Sequence, residues 1–212
     1  MRPYDQKIAV IIPTLNRSES LHEALQSVTR QFEANPAIEV IVIDDGSTED
    51  LAPVIQSLAD GRVRLIRQNH GGVSRARTRS VDETEAEWVC FLDSDDVVRD
   101  GWLETMSAAA SRGIDLFSCG ASLVTAAGGQ TYARPYENGP SFGNVTALFL
   151  AGTFIVRTSV LRQVGGYLDG LRYGENTELG MRLGAFCRES KLKVASTDDA
   201  LVHINTRAGR YD

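Results

Sequence analysis

Three aspartates, Asp93, Asp95 and Asp96, directly follow the apolar run of residues 88–92, which is typical of a buried strand. If the extended backbone continues past that run, Asp93 and Asp95 project to the same side. Carboxylates this close repel one another unless a cation neutralises them. Mg²⁺ takes oxygen ligands, commonly one or two carboxylates together with substrate phosphates. The cluster therefore favours a site for a divalent cation and a phosphate; the alternative is a solvated turn in which Asp95 or Asp96 caps the next segment.

A second acidic pair, Asp44 and Asp45, follows the apolar run of residues 40–43. An acidic side chain at the end of a buried strand can accept hydrogen bonds from a nucleobase or a ribose hydroxyl. The structural alternative is a tight turn at Asp45-Gly46, followed by a helix that Thr48 caps. Both interpretations can hold together, with Asp44 structural and Asp45 exposed.

Two glycines at 71 and 72 open a predicted helix that carries Arg75, Arg77 and Arg79. Helix N-termini attract phosphate, and arginine binds phosphate in a bidentate manner. Helical spacing places Arg75 and Arg79 on one side and Arg77 on another, so the three cannot all bind one ligand. Most arginines on a helix are surface residues; we expect only Arg77 to approach a ligand, because of the motif match given below.

A late helix opens with Glu175, Asn176 and Glu178, after a glycine-rich stretch. A carboxylate there can act as a general base or simply stabilise the helix dipole. Glu175 and Asn176 both border the inward-facing stripe of the helix, so periodicity does not choose between them. Glu178 stands four residues before Arg182, which predicts a surface ion pair of little energetic value. His203 lies in an apolar run, where a lone histidine is more often a satisfied core residue than a metal ligand.

The segments that must position these side chains alternate between strand and helix patterns. Strands are predicted at residues 8–12, 40–43, 63–67 and 88–92. Ser18, Thr48 and Asp100 are predicted to be the N-caps of helices, and Gly71 opens a further helix. Such alternation indicates a mostly parallel sheet with helices on both faces. Ligands bind outside the carboxyl ends of the strands in these sheets. The polar clusters at 13–16, 44–47, 69–72 and 93–96 all fall at such ends.

The second half of the chain has a mixed pattern. Strands are predicted at 114–119, 122–125 and 153–157, a hairpin return at 131–134, a loop at 135–143, and helices at 158–164 and 175–188. We find no internal repeat and no linker that would separate two domains. The sequence therefore predicts one domain over residues 1–212.

Composition excludes several classes of protein. The chain has 212 residues, of which 42% are hydrophobic and 24% charged, as in ordinary globular domains. A net charge of -6 argues against a nucleic-acid binder. No segment approaches the ~20 apolar residues that span a bilayer. Cys90, Cys119 and Cys187 are widely spaced, so neither a zinc site nor a disulfide framework is predicted. We expect reduced core cysteines in a cytoplasmic protein, with a peripheral membrane contact left open.

Taken together, the motifs resemble the inverting nucleotide-sugar glycosyltransferases of family two, which have the GT-A fold. They occur in the family's order and cover nearly the whole chain, although each alone is weak. The matching segments are residues 11–17, 42–48, 69–77, 91–96, 164–167 and 174–179. The resemblance implies a Rossmann-like, mostly parallel sheet flanked by helices, with a smaller acceptor-side β/α portion. It divides the domain into a nucleotide-sugar half, about residues 1–110, and an acceptor half, about 111–212.

The resemblance also implies roles for individual residues. The donor, a UDP- or GDP-sugar, would be bound by Pro13, Thr14, Asn16, Asp45, Arg77, Asp93 and Ser94. Mn²⁺ or Mg²⁺ would be held by Asp95, Asp93 and His203, with Asp96 as a second candidate. The implied activity is that of a hexosyltransferase acting on a saccharide, lipid-linked or small-molecule acceptor. Trp102 and Tyr167 are suggested, by residue type alone, as sugar-stacking side chains.

One position departs from the family pattern. The family usually has Glu-Asp after the glycine loop, and that Asp is its catalytic base, whereas this chain has Asn176. An amide does not accept a proton at neutral pH, so Glu175 or Glu178 takes over, or turnover is weak or absent. We expect Glu175 to be the base. The alternative function is a non-catalytic nucleotide-sugar-binding module; a nucleotidyltransferase ranks last, because residues 13–17 do not form a glycine- and lysine-rich triphosphate loop.

Overall fold

The computed structural model describes residues 4–58, 60–125, 128–171 and 173–206, and in this part of the chain strands and helices alternate through the first half as predicted. The strands are β1 Ile8–Thr14, β2 Ile38–Asp44, β3 Val63–Arg67, β4 Trp88–Phe91, β5 Val97–Val98, β6 Leu116–Thr125, β7 Gln130–Ala133, β8 Tyr136–Glu137, β9 Thr146–Ala147, β10 Phe154–Arg157 and β11 Val194–Thr206. The helices are α1 Ser18–Thr29, α2 Ala52–Ser57, α3 Val73–Asp82, α4 Trp102–Ser111, α5 Thr158–Gln163 and α6 Glu175–Glu189. Short 3₁₀ turns lie at Phe32–Ala34 and Pro140–Phe142.

One large sheet organises the described residues, in the strand order β3-β2-β1-β4-β10-β6-β11-β5, with β7 paired to β6. The first four strands in this order are parallel, as is the β6–β11 pair. Antiparallel pairing enters through β10, which lies between β4 and β6. The predicted mixed α/β class, with a mostly parallel sheet in its first half, is confirmed.

Both faces of the sheet are buried, which explains the unbroken apolar runs of β1 and β2. On one face, Ile8, Val10 and Ile12 pack in a cluster with residues of α1 and α4. On the other face, Ala9 and Ile11 pack in a cluster with residues of α5 and α6. Helices therefore cover both faces, as predicted.

Three predicted helix caps were wrong. Ser18 is the first residue of α1 rather than its cap, and α4 follows Gly101 rather than Asp100. Thr48 does not cap α2, because its backbone N–H and Oγ1 both donate to Asn16 Oδ1, at 2.8 and 3.0 Å. A contact between two strand-end loops thus takes the place of the local cap.

The predicted end of β1 before Pro13 was also wrong, since the strand continues to Thr14 and Pro13 pairs with Ile43. The Ile11 carbonyl accepts from Leu92 N–H on the β4 side. The backbone groups of residue 13 face that same side, where β4 has already ended at Phe91. Pro13 can therefore lack a donor without breaking the ladder.

In the second half, the hairpin return is confirmed by β7 pairing with β6, while the two strands predicted at 114–125 form one continuous strand. The short strands β8 and β9 lie where we predicted a loop or made no prediction, and the long β11 was not predicted beyond an apolar run. Cys90, Cys119 and Cys187 are buried free thiols, as predicted. None of the helices in the described ranges has the length and apolar character needed to cross a bilayer.

Candidate functional site

A cleft of about 530 Å³ opens where the carboxyl ends of β1, β2 and β4 meet. The first half of the chain lines it with Pro13, Thr14, Leu15, Arg17, Asp45, His70, Gly72, Val73, Arg77, Asp93, Ser94, Asp95 and Asp96. The second half lines it with Phe149, Leu150, Ala151, Tyr173, Gly174, Glu175, Asn176, Thr177 and Ile204. The strand-end clusters predicted from the sequence therefore meet in one cavity.

The acidic loop after β4 is a turn, in which the Asp96 N–H donates to the Asp93 carbonyl at 3.1 Å. The backbone is not extended there, so the alternation expected to place Asp93 and Asp95 on one side does not apply. The carboxylates still converge, because one oxygen from each of Asp93, Asp95 and Asp96 lies within 4.8 Å of the others. These hard oxygen donors are the kind that Mg²⁺ and Mn²⁺ take.

Each of these aspartates has a different neighbour. Asp96 is 1% exposed and accepts from the Asn205 N–H at 2.9 Å, which ties the loop to β11. Asp93 accepts from Arg77 Nη2 at 2.5 Å. Asp95 pairs with Arg17 Nη1 at 2.6 Å.

Arg77 is buried at the base of the cleft and joins its two halves. Its Nη1 donates to Glu175 Oε1 at 3.1 Å, while its Nη2 holds Asp93. Its guanidinium also lies over the Tyr167 ring, 4.9 Å from the centroid. Burial lowers the pKa of Arg77, but the acidic groups of Tyr167, Asp93 and Glu175 outweigh it, so the net pKa is raised and the cation persists.

The predicted structural role of Asp44 is confirmed, since Asp44 is 1% exposed and accepts from the Ser47 N–H at 2.7 Å. The prediction that Asp45 is exposed was wrong. Asp45 is 4% exposed and accepts from the N–H groups of Gly71 and Gly72, each at 2.8 Å. Its carboxylate thus holds the start of α3 against the end of β2. It does so because the backbone N–H groups at a helix start have no acceptor within the helix.

At the start of α6, three side chains have different surroundings. Glu175 is in the cleft beside Arg77, whereas Asn176 Oδ1 accepts from the buried Tyr167 hydroxyl at 2.8 Å. Glu178 forms the predicted ion pair with Arg182. The Arg182 hydrogen bond lowers the pKa of Glu178. Of these carboxylates, Glu175 is therefore the one that the structure brings to the cleft.

Two predicted site residues do not line the cleft. Asn16 directs its side-chain oxygen to Thr48, as described above. His203 lies in β11 with its Nδ1 3.2 Å from Ser122 Oγ. The next residue, Ile204, lines the cleft, and successive side chains of a strand point to opposite faces. His203 is neither among the residues that line the cleft nor in the group of carboxylates whose oxygens lie within 4.8 Å of one another.

The suggestion that Trp102 and Tyr167 stack on sugars was wrong. Trp102 is fully buried, and its indole N–H donates to the Gly152 carbonyl at 2.7 Å. Tyr167 is 4% exposed and packs edge-on against Phe91, with ring centroids 5.0 Å apart. Residue type alone did not distinguish a core aromatic from a surface one.

Sequence reasoning missed several residues that line the cleft. Arg17 and His70 stand inside motifs that we quoted, but no periodicity separated them from ordinary surface residues. The stretch of residues 149–151 and Ile204 reach the cleft through β10 and β11, whose neighbours in the sheet are set by chain topology. Tyr173 precedes α6 and is half exposed at the cleft.

A twisted α/β sheet with a cleft and an acidic loop beyond its parallel strands defines a protein of the GT-A class. Residues 9–166 match the family described as "Glycosyl transferase family 2". The chain therefore belongs to glycosyl transferase family 2.

Curated relatives agree with this membership. The chain is 32% identical over 102 residues to "Glycosyltransferase GlyG" of Streptococcus pneumoniae serotype 4, covering 47% of this chain and 33% of that protein. It is 35% identical over 111 residues to "GalNAc(5)-diNAcBac-PP-undecaprenol beta-1,3-glucosyltransferase" of Campylobacter jejuni, covering 50% of this chain and 35% of that protein. The matched part spans about a third of the length of these relatives.

Solved structures show the same fold. The chain superposes on S. aureus TarS 1-349 in complex with UDP with a TM-score of 0.78 at 22% identity, covering 95% of this chain and 61% of that one. The mannosyltransferase PcManGT from Pyrobaculum calidifontis, in complex with GDP-Man and Mn²⁺, gives a TM-score of 0.71 at 16% identity, covering 98% and 59%. At these identities the likeness establishes the fold.

Proposed function

We propose that this chain transfers a hexose from a UDP- or GDP-sugar to an acceptor hydroxyl, with inversion at the anomeric carbon. One observation carries the proposal: the Arg77 guanidinium contacts both Asp93, in the acidic loop, and Glu175, the candidate base. A donor-side carboxylate and a proton acceptor are thereby held on opposite halves of the same cleft. Family membership supplies the class of reaction.

The donor half would be residues 1–110 and the acceptor half 111–212, within a single domain. Pro13, Thr14 and Ser94 line the cleft at the strand ends and would contact the nucleoside. Asp45 would act there through the loop that it holds, as well as by direct contact. Structural neighbours that contain UDP or GDP-Man support a nucleotide sugar as donor.

A divalent cation, Mn²⁺ or Mg²⁺, fits the acidic loop because three carboxylate oxygens converge there. Asp95 and Asp93 would hold it. When bound, such an ion neutralises negative charge on a leaving diphosphate. The Mn²⁺ in PcManGT supports this choice of metal.

Glu175 would serve as general base for the acceptor. Its carboxylate takes the proton from the acceptor hydroxyl as the oxygen forms a bond to the anomeric carbon. The bond from that carbon to the diphosphate oxygen breaks, and its electron pair leaves with the nucleoside diphosphate. Attack from the face opposite the leaving group inverts the anomeric centre.

The acceptor would enter from the side of Phe149, Leu150 and Tyr173, which line the second half of the cleft. An apolar and aromatic wall of this kind suits a saccharide, a lipid-linked or a small-molecule acceptor. We propose that the chain works in the cytoplasm, where its buried thiols stay reduced.

Turnover of a panel of UDP- and GDP-sugars with Mn²⁺, measured as nucleoside diphosphate release, tests the proposal. Glu175→Gln keeps the hydrogen bond from Arg77 but removes the proton acceptor, so it should lower kcat by about a hundredfold or more while UDP still binds. Glu178→Gln is the matched control, because Glu178 pairs with Arg182. Its turnover should stay within about twofold of the parent, as expected for a surface pair.

Asn176→Asp separates the remaining possibilities. If Glu175 is the base, this variant should not rescue Glu175→Gln. Rescue would move the base to position 176. Full activity of Glu175→Gln would contradict the assignment, and tight UDP binding without turnover of any donor would indicate a non-catalytic binding module.

A further inference from the structure

The ion pair of Arg17 with the acidic loop is more exposed than that of Arg77. Its Nη1 lies 2.6 Å from Asp95 Oδ2, and the two side chains are 44% and 21% exposed. Arg77, which holds Asp93 in the same cleft, is only 1% exposed. The two arginines therefore differ in freedom: Arg77 is fixed in the core, whereas the head of Arg17 stands in the cleft beside solvent.

The backbone that carries Arg17 is nonetheless held firmly. Asn16, in a left-handed conformation with φ of 52°, donates its N–H to Ser47 Oγ at 2.9 Å. The Arg17 carbonyl accepts from the Leu21 N–H at 2.9 Å, at the start of α1. Movement of Arg17 is thereby limited to its side chain, which can swing about a fixed origin at the rim of the cleft.

Two cations cannot use the same carboxylate oxygen at hydrogen-bonding distance without repelling each other. A divalent ion that takes Oδ2 of Asp95 as its ligand would therefore displace Arg17 from that oxygen. The displaced guanidinium has five donors in a planar fork that matches phosphate oxygens. The diphosphate is the anion that the proposed function brings to this loop.

We propose that Arg17 is an exchangeable cation. It pairs with Asp95 while the cleft lacks ion and donor, and it turns to the donor diphosphate when a divalent ion takes Asp95. The inference rests on the proposed function and assigns to Arg17 a role in donor binding. The proposal predicts opposite effects of Arg17 on two affinities. Arg17 weakens binding of the divalent ion, because both compete for Asp95, and strengthens binding of the nucleotide.

The test measures both ligands on the intact chain. Free Mn²⁺ is followed by its electron paramagnetic resonance signal as MnCl₂ is titrated without nucleotide, and UDP is then titrated calorimetrically at saturating Mn²⁺. The variants are Arg17→Gln, Arg17→Lys and the control Arg134→Gln. Arg134 forms an exposed pair with Asp198, at 3.7 Å, and does not line the cleft.

Arg17→Gln should bind Mn²⁺ more tightly, by up to about fivefold, which is the most that an exposed ion pair contributes. The same variant should bind UDP about tenfold more weakly in Mn²⁺, because a charge-assisted bond to phosphate is lost. The Mn²⁺ and UDP affinities of Arg17→Lys should lie between those of the parent and of Arg17→Gln. Lysine keeps the positive charge but lacks the planar guanidinium that binds phosphate through two hydrogen bonds. Arg134→Gln should match the parent in both.

Unchanged Mn²⁺ affinity in Arg17→Gln and Arg17→Lys would overturn the competition, and unchanged UDP affinity would overturn the contact with diphosphate. Weaker binding of both ligands would show that Arg17 only shapes the loop, and would also overturn the exchange. A parent chain that binds neither Mn²⁺ nor UDP would instead refute the proposed function. The failures of the two proposals are thus distinguishable.

Discussion

At the scale of single residues, the buried guanidinium of Arg77 connects the two sides of the cleft. Burying a charge is costly unless it is paired, and Arg77 is paired on one side with Asp93 and on the other with Glu175. The same side chain therefore sets the distance between the acidic loop and the start of α6. Arg77, predicted from the sequence to approach a ligand, is observed to position the carboxylates on both sides of the cleft.

Arg77→Met should destabilise the fold by about 3 kcal/mol, because removing one partner of a buried ion pair leaves the others uncompensated. Arg75→Met, two residues earlier on α3, is the control. Arg75 is exposed and pairs with the exposed Asp169 at 3.0 Å, so its loss should cost under about 1 kcal/mol. Urea unfolding of the two variants measures the difference.

Equal destabilisation by the two changes would contradict this account, since it would mean that the buried bridge contributes no more than a surface pair. If Arg77→Met remains as stable as the parent, the two carboxylates must find another counter-charge in the cleft.

At the scale of elements, sequence patterns located the strands and helices better than their ends. The third strand was predicted at residues 63–67 and is observed as β3 at those residues. The helix caps predicted at Ser18, Thr48 and Asp100 were misplaced by one to three positions, because no side chain caps these helices. Thr48 is the clearest case, since its partner Asn16 lies 32 residues away.

The position of α6 is fixed by close contact as well as by its apolar stripe. A Cβ added to Gly184 would collide with the backbone carbonyl of Phe142, in the 3₁₀ turn Pro140–Phe142. The helix can approach this turn only because residue 184 lacks a side chain. This contact, nine residues beyond Glu175 in α6, helps to hold the helix that presents Glu175.

Gly184→Ala should therefore destabilise the protein by about 2 kcal/mol, because overpacking against backbone outweighs the gain in helix propensity of about 1 kcal/mol. Gly61→Ala is the matched control. A Cβ at Gly61 meets nothing within 4 Å, so its unfolding free energy should stay within about 0.5 kcal/mol of the parent. Thermal unfolding of both variants measures the effect, and a stabilised Gly184→Ala would show that α6 can move away without cost.

At the scale of the whole molecule, the sequence predicted which clusters share one edge of the sheet but not how the second half completes it. Parallel strands joined by helices place their carboxyl ends together, so Asp45 and Asp93 could be assigned to one edge in advance. The antiparallel position of β10 between β4 and β6 could not be predicted, because nothing in a short apolar run specifies which strands lie beside it. The contact of Asp96 with Asn205, 109 residues along the chain, depends on that insertion.

Two of the buried thiols lie in strands of this sheet and the third, Cys187, lies in α6, so their ionisation depends on whether the fold is open. Burial raises the pKa of Cys119 to about 12 and that of Cys187 to about 11, and it also raises the pKa of Cys90. These raised values keep the folded thiols protonated, whereas unfolded thiols ionise near pH 8.5. Stability should therefore fall as the pH rises above that value, because the unfolded state then releases protons that the folded state retains.

A thiol reagent such as DTNB should accordingly label the three cysteines at pH 8 only after the chain unfolds, because the thiolate is the reactive form and all three side chains are buried. UDP with Mn²⁺ at a hundred times its Kd should slow labelling about a hundredfold, since ligand binding to the native state alone stabilises it by about 2.7 kcal/mol. Fully denatured protein, in which all three thiols react at once, is the control. If the native chain is labelled rapidly, and at the same rate with and without the ligands, the fold opens locally around a cysteine. Ligand binding in the cleft would then not stabilise the core that contains the thiols.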